Sequence, residues 1–351
     1  MPSFCLPFMP LLLPVCIASA IVAPLPASAF EAGTRWLSLQ PPHRAERETV
    51  LLTYPAKSDG DAYTLGADAL WQGVPARRNA TPVAEKFPLV ILSHGSGGNA
   101  AALGWLSTEL ARHGFVVAAP NHLHSTSGDS IPVESFKIWE RPQDISSLID
   151  RLTSDPQWSG LVDQDRIGAI GFSLGGTSVM LSAGARASLD AFDEYCAGSD
   201  GKDAGCNWFL RGGVDFSKVD REAFEGSYAD PRLKAVVAVD PGLAMAYQPE
   251  SLKTMAIPVK LINLGDGDAI MPGVRAETLA KAIAAAQYAA VPGAVHFTFL
   301  GVCNPDGAAV LKRYGEEDPV CTDGGDIPRG ELHKQIFFQI AVFLRKALAE
   351  R

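Results

Sequence analysis

Arg166-Ile167-Gly168-Ala169-Ile170-Gly171-Phe172-Ser173-Leu174-Gly175-Gly176 constrains this chain more than any other stretch. An apolar run with strand character ends in Gly-x-Ser-x-Gly, and Thr177-Ser178-Val179-Met180-Leu181 continues with helix-compatible residues. A serine on so sharp a strand-to-helix turn takes strained dihedrals, so the positions two before and two after it must lack colliding side chains. Gly171 and Gly175 hold those positions. The turn lifts the hydroxyl out of the sheet and aims the first N–H groups of the helix at whatever the serine attacks, which makes Ser173 the candidate nucleophile.

The flanking pattern predicts an α/β fold. Pro88-Leu89-Val90-Ile91-Leu92-Ser93, Phe115-Val116-Val117-Ala118-Ala119, Ala235-Val236-Val237-Ala238-Val239 and Val259-Lys260-Leu261-Ile262-Asn263-Leu264 read as buried strands. Helical segments fall between them, at Leu103 to Ala111, Gln143 to Leu152 and Val274 to Ala286. Strand and helix in alternation give a mostly parallel sheet with helices on both faces. Val50 to Tyr54 predicts a further strand, residues 57–85 edge structure and loop, and Tyr288 to Val291 a short last strand. The segment from Glu331 to Glu350 reads as an amphipathic closing helix. Residues 188–232 are polar and Gly-rich with no sustained period, and are expected to form an insertion over the top of the sheet.

Residues 1–29 are set apart from this domain. The first thirty residues carry no charged side chain, have an apolar core from Leu11 to Val22 and reach Ala27-Ser28-Ala29, the form of a secretory signal peptide cut after Ala29. Residues 30–351 then form a single catalytic domain, secreted or periplasmic. In an oxidising compartment four cysteines remain, and sequence proximity pairs Cys196 with Cys206 and Cys303 with Cys321 among three connectivities. A net charge of −9 with no basic run argues against nucleic acid and anionic membrane surfaces as partners. The prolines in the leader argue against stable membrane insertion.

A serine needs a base, and the base needs an orienting partner. His296, after the last strand, is the candidate base, since His333 lies within the closing helix. His94 reads as structural, bonding backbone in the Gly-rich loop Gly95-Ser96-Gly97-Gly98. The two N–H donors of an oxyanion hole are expected from Ser96 and Leu174. A phosphate-binding loop is excluded by the missing Gly-Lys-Ser/Thr.

Ser93-His94-Gly95-Ser96-Gly97-Gly98, Gly171 to Gly176 and Val295-His296-Phe297-Thr298-Phe299-Leu300 together resemble the α/β-hydrolase superfamily. Within it they are similar to a secreted bacterial group of predicted dienelactone hydrolases, akin to platelet-activating-factor acetylhydrolases and polyester-degrading lipases. The resemblance implies an α/β-hydrolase fold and a serine esterase with no cofactor and no metal. The substrate implied is a small-molecule, lipid or polyester ester. Dienelactone hydrolases proper carry a cysteine where this chain has Ser173, and Val295 replaces a frequent glycine. For the triad acid the resemblance divides: Asp240 ends a strand where the acetylhydrolases carry theirs, whereas Gly265 to Pro272 resembles the acid loop of bacterial esterases and favours Asp268. An amidase or peptidase on the same triad, or a non-catalytic binding protein on the same fold, are the alternative readings.

Overall fold

The computed structural model describes residues 29–349; the signal-peptide expectation therefore lies almost wholly outside the described residues. The apolar runs become the centre of a ten-stranded sheet of order β12-β11-β10-β9-β5-β6-β2-β1-β4-β3. Six of these strands run parallel to one another: β5 (Phe87–Ser93), β6 (Val116–Pro120), β9 (Val162–Phe172), β10 (Leu233–Val239), β11 (Val259–Leu264) and β12 (Ala286–Val291). Their sequences are continuously apolar because both faces are covered. Alternation along β5 sends Leu89 and Ile91 into one core and Val90 and Leu92 into the other, all four inaccessible to solvent.

The remaining strands are β1 (Glu31–Leu39), β2 (Glu48–Ala56), β3 (Asp61–Leu65) and β4 (Val74–Arg78). β2 joins β6 and β1 in antiparallel register, β4 runs parallel to β1, and β3 closes the edge against β4. β1 was not foreseen: its polar Thr34, Arg35 and Ser38 break the apolar run, yet Thr34 is buried and its hydroxyl meets Tyr63 Oη at 2.8 Å. A two-residue hairpin, β7 (Ser125–Thr126) with β8 (Asp129–Ser130), stands apart.

Helices α1 (Gly104–Arg112) and α11 (Arg329–Ala347) cover the face reached by Val90 and Leu92. The short α2 (Pro132–Ser135) is followed by α3 (Glu140–Ser154), which with α4 (Leu174–Ser182) covers the other face. α3 begins earlier than expected, since Pro142 falls in its first turn, where no intrahelical N–H is needed. The insertion is helical, contrary to expectation: α5 (Leu189–Gly198), α6 (Ala204–Arg211) and α7 (Arg221–Phe224) start on side-chain caps from Ser188, Asp203 and Asp220. Phe192, Phe209, Phe216 and Phe224 pack around Phe136, and the Cys196–Cys206 disulfide ties α5 to α6. The helix expected from Val274 to Ala286 shrinks to α9 (Glu277–Ala282), after α8 (Pro249–Lys253). Pairing of Ala286 to Val291 with β11 overrides the helix propensity of the alanines. The second disulfide, Cys303–Cys321, flanks α10 (Gly307–Arg313). No helix among the described residues is long and apolar enough to cross a membrane.

Candidate active site

Ser173 sits between β9 and α4 at φ 55°, ψ −121°, a conformation that costs a non-glycine residue on the order of 1–3 kcal/mol. The flanking glycines are required by distance. A Cβ on Gly171 would lie 1.9 Å from the Gly175 carbonyl oxygen, and one on Gly175 would lie 2.1 Å from the Ser93 carbonyl oxygen. Backbone bonds to the next strand hold the turn, from Ser173 N–H to Val239 O (3.0 Å) and from Gly242 N–H to Ser173 O (2.8 Å).

Those bonds place the end of β10 beside the serine, and Asp240 is the residue that follows β10. Its Oδ2 lies 2.9 Å from His296 Nδ1, while His296 Nε2 lies 3.2 Å from Ser173 Oγ. The ring thus donates from Nδ1 to the carboxylate and presents Nε2 as acceptor to the hydroxyl. Asp240 is buried, and its other oxygen accepts from Asn263 Nδ2 (2.8 Å) and Leu264 N–H (2.9 Å). Asn263 is itself fixed, donating to Val274 O at 2.7 Å and accepting from Ala276 N–H at 2.9 Å.

The structure brings the alternative, Asp240, to His296 and does not bring Asp268 there. Asp268 lies in a short 3₁₀ turn, Gly267–Ala269, with its side chain fully exposed and 3.6 Å from Arg275. Its loop follows β11, one strand farther from β9 than β10. The single Nδ1 of His296 is already engaged by Asp240.

His296 opens a 3₁₀ turn, His296–Phe299, whose carbonyls are held from behind. Trp105 Nε1 donates to Phe299 O (2.8 Å), and His333 Nε2 lies 2.8 Å from Thr298 O and 3.0 Å from Leu300 O. The Thr298 hydroxyl accepts from Val295 N–H and donates to Asp323, which Arg329 also binds.

The Gly-rich loop passes close to the nucleophile: a Cβ on Gly95 would sit 3.0 Å from Ser173 Cβ. The Gly95 carbonyl accepts from His94 Nδ1 (2.7 Å), Gly98 N–H (3.1 Å) and, at the limit of hydrogen-bond length, Arg141 Nη2 (3.5 Å). Because an amide is planar, fixing this carbonyl fixes the opposed N–H of Ser96. The Ser96 and Leu174 amides have no partner among the described residues, which leaves both available to a ligand oxygen. His94 is buried, and burial first, then Arg141, holds its pKa well below the usual range. The neutral ring accepts at Nε2 from His122 N–H.

Beneath the loop is a buried polar cluster that the sequence did not reveal. Arg141 donates to His94 O (2.7 Å) and Ser125 Oγ (2.6 Å), and burial pushes its pKa down to about 9. His122 joins Ser93 Oγ (2.9 Å) to Asp144 (2.8 Å), and Asp144 also binds Arg44 and His43. This repeats the serine-histidine-aspartate order, but Ser93 is inaccessible, so it offers no nucleophile to a substrate. Glu48, His122 and Asp144 have metal-ligand spacing, within 4.8 Å. Both ring nitrogens of His122 and both Asp144 oxygens are already bonded, and Arg44 and Arg141 supply positive charge, so the donors do not fit a resident cation. A readable signal existed, since Arg141 and Asp144 fall on the apolar face of α3 beside Ile145 and Leu148.

A family model described as platelet-activating factor acetylhydrolase, isoform II, matches residues 71–135, which include the Gly-rich loop and stop short of Ser173. A platelet-activating factor acetylhydrolase from Cavia porcellus is 46% identical over 50 residues, 14% of this chain and 12% of that protein. The chain therefore matches only about an eighth of that relative's length. Among solved structures, a ferulic acid esterase from Streptomyces cinnamoneus superposes with a TM-score of 0.61 at 20% identity, covering 94% of this chain and 93% of that one. A dienelactone hydrolase-like promiscuous phosphotriesterase from metagenomic libraries gives a TM-score of 0.50 at 15% identity, over 91% and 100% of the two chains. These likenesses extend over nearly the whole molecule and show the α/β-hydrolase fold.

Proposed function

We propose that this chain is a secreted serine hydrolase that cleaves carboxylic esters through an acyl-enzyme on Ser173. The observation that carries the reading is the hydrogen-bonded order Ser173, His296, Asp240 on a strained strand-to-helix turn. As Ser173 Oγ attacks the ester carbonyl, His296 Nε2 takes its proton, and Asp240 stabilises the imidazolium without itself being protonated. The oxyanion that forms lies against the free amides of Ser96, in the Gly-rich loop, and of Leu174, at the start of α4. Collapse expels the alcohol, which receives the proton from His296. Water then repeats the cycle on the acyl group, releasing the acid and restoring the serine.

The partial match to acetylhydrolases and the fold shared with a ferulic acid esterase support esters over amides as substrates. Two disulfides support maturation in an oxidising compartment. The test is a panel of p-nitrophenyl esters of increasing acyl length run beside the matching anilides, on the wild type and on Ser173→Ala. Ester turnover that disappears in the variant, with anilides at least a hundredfold slower, is expected. Ester turnover that survives in Ser173→Ala, or anilides cleaved as fast as esters, contradicts the proposal.

A further inference from the structure

A cavity of about 370 Å³, lined by the apolar Leu65, Trp71, Val74, Trp105 and Phe337 together with His333, reaches Gly301 and Val302, just after the His296 turn, and its lining does not include Ser173. That volume falls within the range of small-ligand pockets, which are mainly apolar with a few placed polar groups. The charged side chains at its margin are already paired, Arg112 with Glu109 and Lys334 with Glu331, each at 2.7 Å.

One polar group is not paired. His333 is only 6% exposed and stacks on Trp105, with ring centroids 3.8 Å apart and planes within 5°. Its Nε2 faces two carbonyl oxygens, those of Thr298 and Leu300, and must carry the proton to satisfy them. Burial holds the ring neutral, with its pKa down to about 4. Nδ1 is therefore a lone-pair acceptor, and it has no partner among the described residues. The ring is buried, but Nδ1 is not among the fully buried unpaired atoms, so it is reachable, and a ligand hydroxyl can donate to it in place of water.

The same two side chains hold the turn that carries His296. Trp105 and His333 between them bind the carbonyls of three successive residues, Thr298, Phe299 and Leu300. A molecule packed on this stacked pair is in contact with the groups that set the position of the imidazole.

We propose that this cavity is a second small-molecule site, taking an uncharged aromatic or aliphatic alcohol whose hydroxyl donates to His333 Nδ1 and whose apolar body packs on Trp105 and Phe337, and that its occupancy is transmitted to His296. Binding is independent of the esterase reading; only its consequence for turnover rests on that reading.

Calorimetric titration of the whole mature protein with 2-naphthol tests the site. One saturable equivalent is expected, at least tenfold weaker for 2-methoxynaphthalene, which has the same rings and no donor. Val74→Trp, outside the catalytic machinery, fills the cavity and should abolish binding while leaving the melting temperature and basal activity unchanged. The His296 ring resonances should shift on saturation of the wild type and stay fixed in Val74→Trp. Equal affinity for the two compounds, binding that survives in Val74→Trp, or His296 resonances that do not move with 2-naphthol would overturn the proposal. Because these readouts need no turnover, failure of the esterase reading and failure of this one are separable.

Discussion

Lowering the pH from 6.5 to 4.5 should cost this protein about 4 kcal/mol of stability, a figure that follows from two buried histidines, His122 and His333. His94, His122 and His333 are all held neutral, chiefly by burial; the pKa of His122 and His333 falls to about 4. Around His94 and His122 stand Arg141, which opposes protonation, and Asp144, which favours it; around His333 stand Arg329 and Asp323 in the same two roles. In the unfolded chain all three titrate near 6.5. Between that value and about 4 the unfolded state binds two protons that folded His122 and His333 refuse, so stability falls with falling pH, and His94 acts in the same direction. Glu48 has the opposite sign: burial and Asp144 raise its pKa, so the folded state keeps a proton that the unfolded chain releases above about 4.5. His122 and His333 together give about two protons, or about 2.7 kcal/mol per pH unit once the unfolded histidines are protonated, with His94 and Glu48 acting against each other. Asp144, held far below its ordinary value, adds to the loss only below about pH 4. Urea unfolding at half-unit steps from pH 4.5 to 6.5 measures the slope directly, and His333→Gln should remove about half of it. A slope below one proton, or one unchanged in His333→Gln, would refute the reasoning.

Further outcomes follow from the site. Asp240→Asn should lower kcat about 10⁴-fold by leaving the imidazolium without its partner, while Asp268→Asn, at a fully exposed position, should stay within about twofold of wild type in steady-state ester hydrolysis. Arg141→Met removes the donor to the His94 and Ser125 oxygens. It should lower kcat by about 10²-fold through a loosened Ser96 amide, with KM unchanged; a lowered melting temperature with normal kcat would mean that the arginine serves stability alone. Reducing Cys303–Cys321, which closes a separation of 18 residues shortly after His296, should abolish activity at a reductant concentration that leaves far-UV dichroism intact.

The nucleophile turn was legible because its constraint is steric: a Cβ on Gly171 or Gly175 would meet backbone at about 2 Å. The central strands were legible for a similar reason, since burial on both faces leaves a continuous apolar run. The acid was not. Asp240 and Asp268 both follow strands, and what separates them is that β10, not β11, lies next to β9, a fact of strand order rather than of local pattern. The helices of the insertion were hidden in another way. Leu189, Phe192 and Cys196 have helical spacing, but aspartates and glycines between them dilute the period, and the aromatic cluster on Phe136 that holds them draws on residues about 50 to 90 positions away. β1 was missed because its polar residues find partners across the sheet, as Thr34 does with Tyr63.

The account stands on Ser173 as the attacking atom. Mass-spectrometric peptide mapping after treatment with a fluorophosphonate locates that atom. A single adduct on Ser173, absent from Ser173→Ala and formed at least a thousandfold more slowly in His296→Ala, is the predicted result. An adduct on another residue, or ester hydrolysis that continues while Ser173 stays unmodified, would contradict it.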